Sequence, residues 1–298
     1  MALQLQDRAV AREFLHHGFS VRYWNYSPAE PDRPHPTMVM LHGFRGDHHG
    51  LLKIVERLPQ ARVIVPDLPG FGESAPLEGE HNVPNYVRCV ETLMESLQLP
   101  EDTVLLGHSF GSIVAAHFAA SPSHALQALI LVNPICEPAL KGSKAFLSRL
   151  TGFYYLLCAR LPERAGLFLL RNRLIVRAMS ILMARTKDPV LRQWIHAEHA
   201  RYFSAFANRT VVLEAFRASI SGTVREAAGR LRLPVLLIAA TDDDLGSVAG
   251  QRQLQESIAG SKLVFLDNVG HLIHYEKPAE AAALIQDFLG SLRSRDNV

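Results

Sequence analysis

The chain has 298 residues, 48% hydrophobic and 20% charged, with a formal net charge of +2. That length admits one large α/β domain or a domain carrying an insertion, and the near-neutral balance gives no general attraction for nucleic acid. The three cysteines, Cys89, Cys136 and Cys158, stand at unrelated spacings that suit neither a disulfide framework nor a zinc site, so a reducing compartment is expected.

The N-terminal stretch "MALQLQDRAVAREFLHHGFS" lacks the unbroken apolar core of a secretory signal, and no window of 18 uncharged apolar residues follows. The expected location is the cytoplasm. Short apolar runs that end in Gly, Asp or Pro then recur, as buried parallel strands do: 19–26, 37–43, 61–67, 103–109, 128–134, 234–244 and 262–271. Helical patterns lie between them at 83–97 and 111–122, and a last helix covers 277–293, with Pro278 near its start where a missing N–H is harmless. Strands alternating with helices predict an α/β fold, a mainly parallel doubly wound sheet covered on both faces.

Residues 135–230 break this rhythm, with helix-like segments and no convincing strand. The expected layout is a core at 1–134, a helical cap insertion at 135–230, and the rest of the core at 231–298. Ligands of open α/β sheets bind at the carboxyl ends of the strands, so a cap on that side makes a lid and a substrate pocket.

At 107–111 the chain crowds His108, Ser109 and Phe110 between two glycines at a strand-to-helix junction. A serine there is a nucleophile only if a histidine and a carboxylate support it. Proteins with such an elbow place the acid and then the histidine after the serine. Of fourteen histidines, only His271 and His274 follow the last strong strand; His271, directly after that strand and beside a glycine, is preferred, and His274 reads as a half-buried structural residue. The acid is expected at the end of 234–244, where Asp242, Asp243 and Asp244 stand in a row. The end of 128–134 carries Asn133 and no carboxylate until Glu137.

Four motifs in order, "HGFRG" (42–46), "DLPGFGES" (67–74), "GHSFGS" (107–112) and "GHLIHYEKP" (270–278), resemble the α/β-hydrolase superfamily over nearly the whole chain. The resemblance implies a serine nucleophile at Ser109, a base at His271 and an oxyanion hole made by the backbone N–H groups of Phe44 and Phe110. Counting three residues from Ala240, which stands where the family usually has glycine, implies Asp243 as the acid, with Asp242 as the runner-up. Serine at the elbow excludes the dehalogenase and epoxide-hydrolase branches, which attack through a carboxylate. His42 reads as structural, Ser112 as a small packing residue, and Gly70 and Gly72 as turn glycines, since no phosphate-binding spacing follows. His48 and His49 have no second ligand pair at metal spacing, so no metal is expected, and no cofactor is implied.

Between 141 and 187 ten basic residues, from Lys141 to Lys187, face a single acid, Glu163, amid apolar runs such as "FYYLLCA" and "GLFLLRNRLIV". A basic, apolar helical segment suits a lipid surface; it equally suits a lid whose apolar underside covers an active site. The expected activity is hydrolysis of a carboxylic ester with an apolar acyl group through an acyl-serine. Carbon–carbon hydrolysis, acyl transfer or a silent ligand-binding relative are the alternatives. The partners are then a small-molecule or lipid ester, with peripheral contact to anionic membrane through the cap and no nucleic acid; nothing in the sequence sets an oligomeric state.

Overall fold

The computed structural model describes residues 5–123, 125–138 and 145–296. Eight strands form one sheet: β1 Ala9–His16, β2 Phe19–Tyr26, β3 Thr37–Leu41, β4 Arg62–Pro66, β5 Val104–His108, β6 Ala128–Val132, β7 Val235–Ala240 and β8 Lys262–Leu266. Their order across the sheet is β1-β2-β4-β3-β5-β6-β7-β8, with β1–β2 and β2–β4 antiparallel and the rest parallel.

The central strands are apolar without alternation because both faces are covered. Val39, Leu41, Leu105, Leu129 and Leu131 pack under the helices Val83–Ser96 and Phe110–Ala119, while Met38, Met40, Leu106 and Ile130 point to the opposite face, against the helix Pro278–Asp296. β1 has no counterpart in the sequence-based assignment. Its residues AVAREFLH carry a weak apolar alternation, and only Phe14 and His16 are buried. It forms as a hairpin edge, closed by His17 and Gly18 with φ of 49° and 85°, the double positive φ of a two-residue hairpin turn. β7 and β8 are shorter than the apolar runs suggest, and their C-terminal tails are loops that carry Asp243 and His271.

The stretch after β6 folds into the helices Ala145–Arg160, Glu163–Leu170, Arg173–Met183, Pro189–Tyr202 and Arg209–Ser221. Asn172, Asp188 and Asn208 cap three of their N-termini through side-chain oxygens. The chain returns to the core where Val224 N–H donates to the Ile135 carbonyl at 2.9 Å. Past that point the short helix Arg225–Ala228 packs on the helix Phe110–Ala119. Lys141 and Lys144 lie outside the described residues, as does the side chain of Arg149. Among the described residues, no helix is long and apolar enough to cross a membrane.

Candidate active site

Ser109 joins β5 to the helix Phe110–Ala119 with φ 53° and ψ −119°, a strained conformation for a non-glycine residue. The two flanking glycines permit it by close approach. A Cβ on Gly107 would lie 2.3 Å from the Gly111 carbonyl oxygen, and one on Gly111 would lie 2.4 Å from that of Leu41 on β3. Strand and helix therefore touch through bare backbone, and the serine is pushed out at the apex. Its N–H donates to Val132 O at 3.1 Å, and its carbonyl accepts from Ser112 N at 2.8 Å and Ser112 Oγ at 2.5 Å. Ser112 Oγ also accepts from Ile135 N at 3.2 Å, so the residue ties the elbow to the root of the insertion as well as packing closely.

The structure brings Ser109, His271 and Asp243 together. Ser109 Oγ lies 2.6 Å from His271 Nε2, and His271 Nδ1 lies 3.0 and 2.9 Å from the two Asp243 oxygens. A carboxylate accepts, so Nδ1 carries the proton and Nε2 is left to accept from the serine. The side chains of His271 and Asp243 are 6% and 2% exposed. Burial alone would raise the Asp243 carboxyl, but His271 and the donors Leu245 N–H and Asn133 Nδ2, both at 2.8 Å, outweigh it and hold the group low. Asp242 is exposed, Asp244 pairs with Arg185, and Glu137 accepts from Ser247 Oγ at 3.3 Å; none of the three approaches His271 by hydrogen bond.

Asn133 is a site residue that sequence pattern did not single out for a role. It sits at the end of β6, the alternative seat for an acid, at φ 47°. Its amide donates both to Asp243 Oδ2 and, at 3.2 Å, to the Gly270 carbonyl just before His271. One side chain thus holds both Asp243 and the chain just before His271.

Phe110 opens the elbow helix, its ring packed edge-on to Tyr86 at 5.3 Å. Phe44 lies in a turn closed by Gly46 N–H to Gly43 O at 3.0 Å. That turn presses on the elbow: a Cβ on Gly43 would stand 3.1 Å from Ser109 Cβ. His42 behind it accepts from Leu68 N–H at Nε2 and donates from Nδ1 to Gly43 O, both at 2.8 Å. Burial keeps it neutral, and both ring nitrogens are engaged in holding loops. Asp47, His48 and His49 could offer ligand atoms within 4.8 Å of one another. However, His48 Nδ1 donates to Asp67 and His49 Nδ1 to Asp47, and the two rings stack between Trp24 and Tyr202. Gly72 lies so close to Asp67 that a Cβ would fall 2.0 Å from its Oδ2, which makes it a packing and turn glycine.

Above Ser109 a cavity of about 60 Å³ is lined by Phe44, Leu51, Met183, Phe203 and Leu272, with polar edges from His199, His274 and Tyr275. His274 is buried rather than half-buried, its ring 4.0 Å from that of His108, and among the described residues its Nδ1 has no hydrogen-bond partner. His108 Nε2 donates to the His271 carbonyl at 3.3 Å, and His199 Nδ1 shares Ser180 Oγ with His196. Burial pushes His108 down to about 3 and His199 down to about 4, and lowers His274 well below the usual range. In the unfolded chain such groups protonate near pH 6.5. Below that value the unfolded state binds more protons than the folded one. Stability is therefore full above about pH 6.5 and declines toward pH 4, by up to about 1.4 kcal/mol per pH unit for each such histidine. Urea midpoints between pH 8 and 4.5 should show this decline, and His199→Gln should make it shallower; an unchanged slope in the variant would refute the assignment.

The alpha/beta hydrolase family profile matches residues 38–284. A monoacylglycerol lipase of Xenopus laevis is 26% identical over 92% of this chain and 82% of its own. A pimeloyl-[acyl-carrier protein] methyl ester esterase of Aeromonas hydrophila is 28% identical over 86% of this chain and 96% of its own. Among solved structures, the enol-lactonase of Burkholderia xenovorans superposes with a TM-score of 0.75 at 19% identity, covering 94% of this chain and all of that one. A family match over most of the chain, on a sheet whose strand ends converge on an elbow serine, makes this chain a member of the alpha/beta hydrolase family.

Proposed function

We propose that this protein hydrolyses carboxylic esters with an apolar acyl group, using Ser109 as nucleophile, His271 as general base and acid, and Asp243 as the group that orients and charge-stabilises His271. The observation that carries this is the hydrogen-bonded run from Ser109 through His271 to Asp243. Ser109 Oγ adds to the ester carbonyl as its proton passes to His271 Nε2. The oxyanion is held by the N–H groups of Phe44 and Phe110, each such donor contributing about 2.7–4 kcal/mol to the barrier reduction. Collapse expels the alcohol, which takes the proton from His271, and leaves an acyl-serine. Water, deprotonated by His271, then releases the carboxylic acid and restores Ser109. The ester-hydrolase names of the monoacylglycerol lipase and the methyl ester esterase support this choice of bond.

The exposed face of the insertion supports a second part of the proposal, peripheral contact with anionic lipid. Phe153, Phe168, Leu174, Ile181 and Leu182 are exposed there, interleaved with exposed Arg160, Arg164, Arg173 and Arg177. Not every basic residue is available: Arg171 turns onto the Phe206 carbonyl and ring, and Arg185 onto Asp244.

Ser109→Ala should abolish burst and steady-state turnover of p-nitrophenyl esters and labelling by a fluorophosphonate, leaving only the small rate that binding supplies. Asp243→Asn should lower kcat by orders of magnitude with little change in Tm, whereas Asp242→Asn should be mild. Wild-type turnover in Ser109→Ala would sink the mechanism, and the reverse ranking of the two aspartates would move the acid by one residue. Product analysis that shows acyl transfer or carbon–carbon cleavage instead of a free acid would replace the bond assignment.

Across an ester series, kcat/KM should rise from acetyl by up to about fourfold per methylene, the rate equivalent of about 0.8 kcal/mol. It should level off after a few carbons, since a cavity of about 60 Å³ takes a longer chain only if the cap moves. A flat or falling profile from the start would remove the apolar acyl pocket.

Each basic group near an anionic bilayer contributes about 1 kcal/mol, screened over roughly 10 Å at 0.1 M salt. Co-sedimentation with phosphatidylglycerol-containing vesicles should therefore be strong at low salt and weak at high salt. Equal partitioning to neutral and anionic vesicles would overturn the electrostatic part.

A further inference from the structure

Arg45, in the turn that holds Phe44, is 1% exposed, and among the described residues no carboxylate pairs with it. A guanidinium keeps its charge at any ordinary pH, so its burial demands compensation from the groups around it. Its backbone has φ 60° at the third position of the Gly43–Gly46 turn, where a left-handed residue is required and glycine is favoured. Neither burial nor backbone preference explains an arginine here, so the reason lies in what its side chain reaches.

Every hydrogen bond that the guanidinium makes goes to the cap. Nε donates to Phe203 O at 3.0 Å, Nη2 to Leu170 O at 2.9 Å, and Nη1 to Tyr155 OH at 3.3 Å. Its carbon also lies 4.8 Å from the centre of the Phe203 ring and 5.4 Å from that of Phe206. Phe44, the preceding residue, sends its ring the same way, 5.7 Å from Tyr155 and 5.8 Å from Phe216. Both corner side chains of a core turn are thus anchored in the insertion, and three separate cap segments hold one guanidinium.

We propose that Arg45 is a positioning residue through which the seated cap anchors the Gly43–Gly46 turn in place, so that the Phe44 amide is aimed for catalysis only when the cap is closed. This rests on the role given above to the Phe44 N–H. With the cap lifted, the guanidinium loses its three acceptors and the turn loses its anchor on the cap side. With the cap down, the hole is completed at the same moment that the cavity closes. Substrate entry and oxyanion stabilisation then alternate, coupled by one side chain.

Arg45→Gly removes the clamp without adding backbone strain, since glycine accepts the left-handed φ. The expected result is a fall in kcat of about tenfold or more, with KM changed by less than about threefold, as for a contact made only in the transition state. Affinity for a trifluoromethyl ketone, which mimics the tetrahedral adduct, should fall in parallel, while affinity for the product carboxylate should not. Added ethylguanidinium at non-denaturing concentration should restore part of the lost kcat. Folded Arg45→Gly with wild-type kcat, or with lowered kcat but unchanged ketone affinity, overturns the proposal. Should Arg45→Gly not accumulate as folded protein, Tyr155→Phe, which loses one of the three acceptors and keeps the ring, makes the same comparison. A loss of kcat at constant KM there supports the clamp, and a wild-type kcat overturns it. Ser109→Ala, assayed alongside, distinguishes the failures: if it is active, the catalytic assignment itself fails; if it is dead while the Arg45 variants are wild-type, only the clamp fails.

Discussion

A serine held at φ 53° between two glycines is the constraint on which the rest of this site depends. A left-handed residue between a strand and a helix forces the backbone to double back within one residue. That is possible only where strand and helix touch without Cβ atoms, as Gly107, Gly111 and the backbone of β3 do here. The turn lifts Ser109 Oγ above the strand ends, where the parallel sheet also delivers the loops after β7 and β8. Asp243 and His271 need no special backbone of their own to arrive there. They need only to lie in the loops that follow adjacent strands, which is why their chain positions are so far apart and their side chains within 3.0 Å.

The electrostatics follow from the same packing. The cavity lining is mainly apolar with Asp47 and Tyr275 at its edge, and burial keeps the lining histidines His108, His199 and His274 neutral, so they add no positive charge beside His271 at neutral pH. Asp243 is the buried carboxylate in hydrogen-bond contact with that ring, held low by its own donors. In the proposed mechanism Asp243 is thus the anion that faces the proton taken from Ser109, and the histidine cluster supplies no competing cation.

Much of this was legible in the sequence because two-sided burial leaves a plain mark. The central strands are continuous apolar runs, and the elbow glycines flank their serine at fixed spacing. β1 left a faint mark because an edge strand with one half-covered face needs few apolar residues. Asp243 was separable from Asp242 and Asp244 only by a register counted from Ala240 through the family resemblance; in space the three differ sharply, one on His271, one in solvent and one on Arg185. The contacts of Ser112, Asn133 and Arg45 were not legible. Each side chain reaches backbone carbonyls or a neighbour's side chain, and no residue spacing records such contacts. For Asn133 and Arg45 the signal is a positive φ on a non-glycine residue, which exists only once the backbone is known.

Several of the polar contacts that join the helices after β6 to the core start from site loops, beside the bridge of Phe71 to Phe206. Arg45 follows Phe44. Arg185, between two cap helices, pairs with Asp244, the neighbour of Asp243, and its N–H donates at 2.7 Å to Glu276, two residues past His274. The Arg185–Asp244 pair is two-fifths exposed and contributes little stability by itself. Its position matters more than its strength. Gly270, just before His271, lies against the Arg185 side chain so closely that a Cβ would fall 2.8 Å from Cγ. A third link, Glu214 of the helix Arg209–Ser221 to His81 N and Nδ1, sits away from the chemistry. The loops of Phe44, Asp243 and His271 thus each carry a contact to the helices after β6, and an interior packed this densely passes a shift of one neighbour to the next.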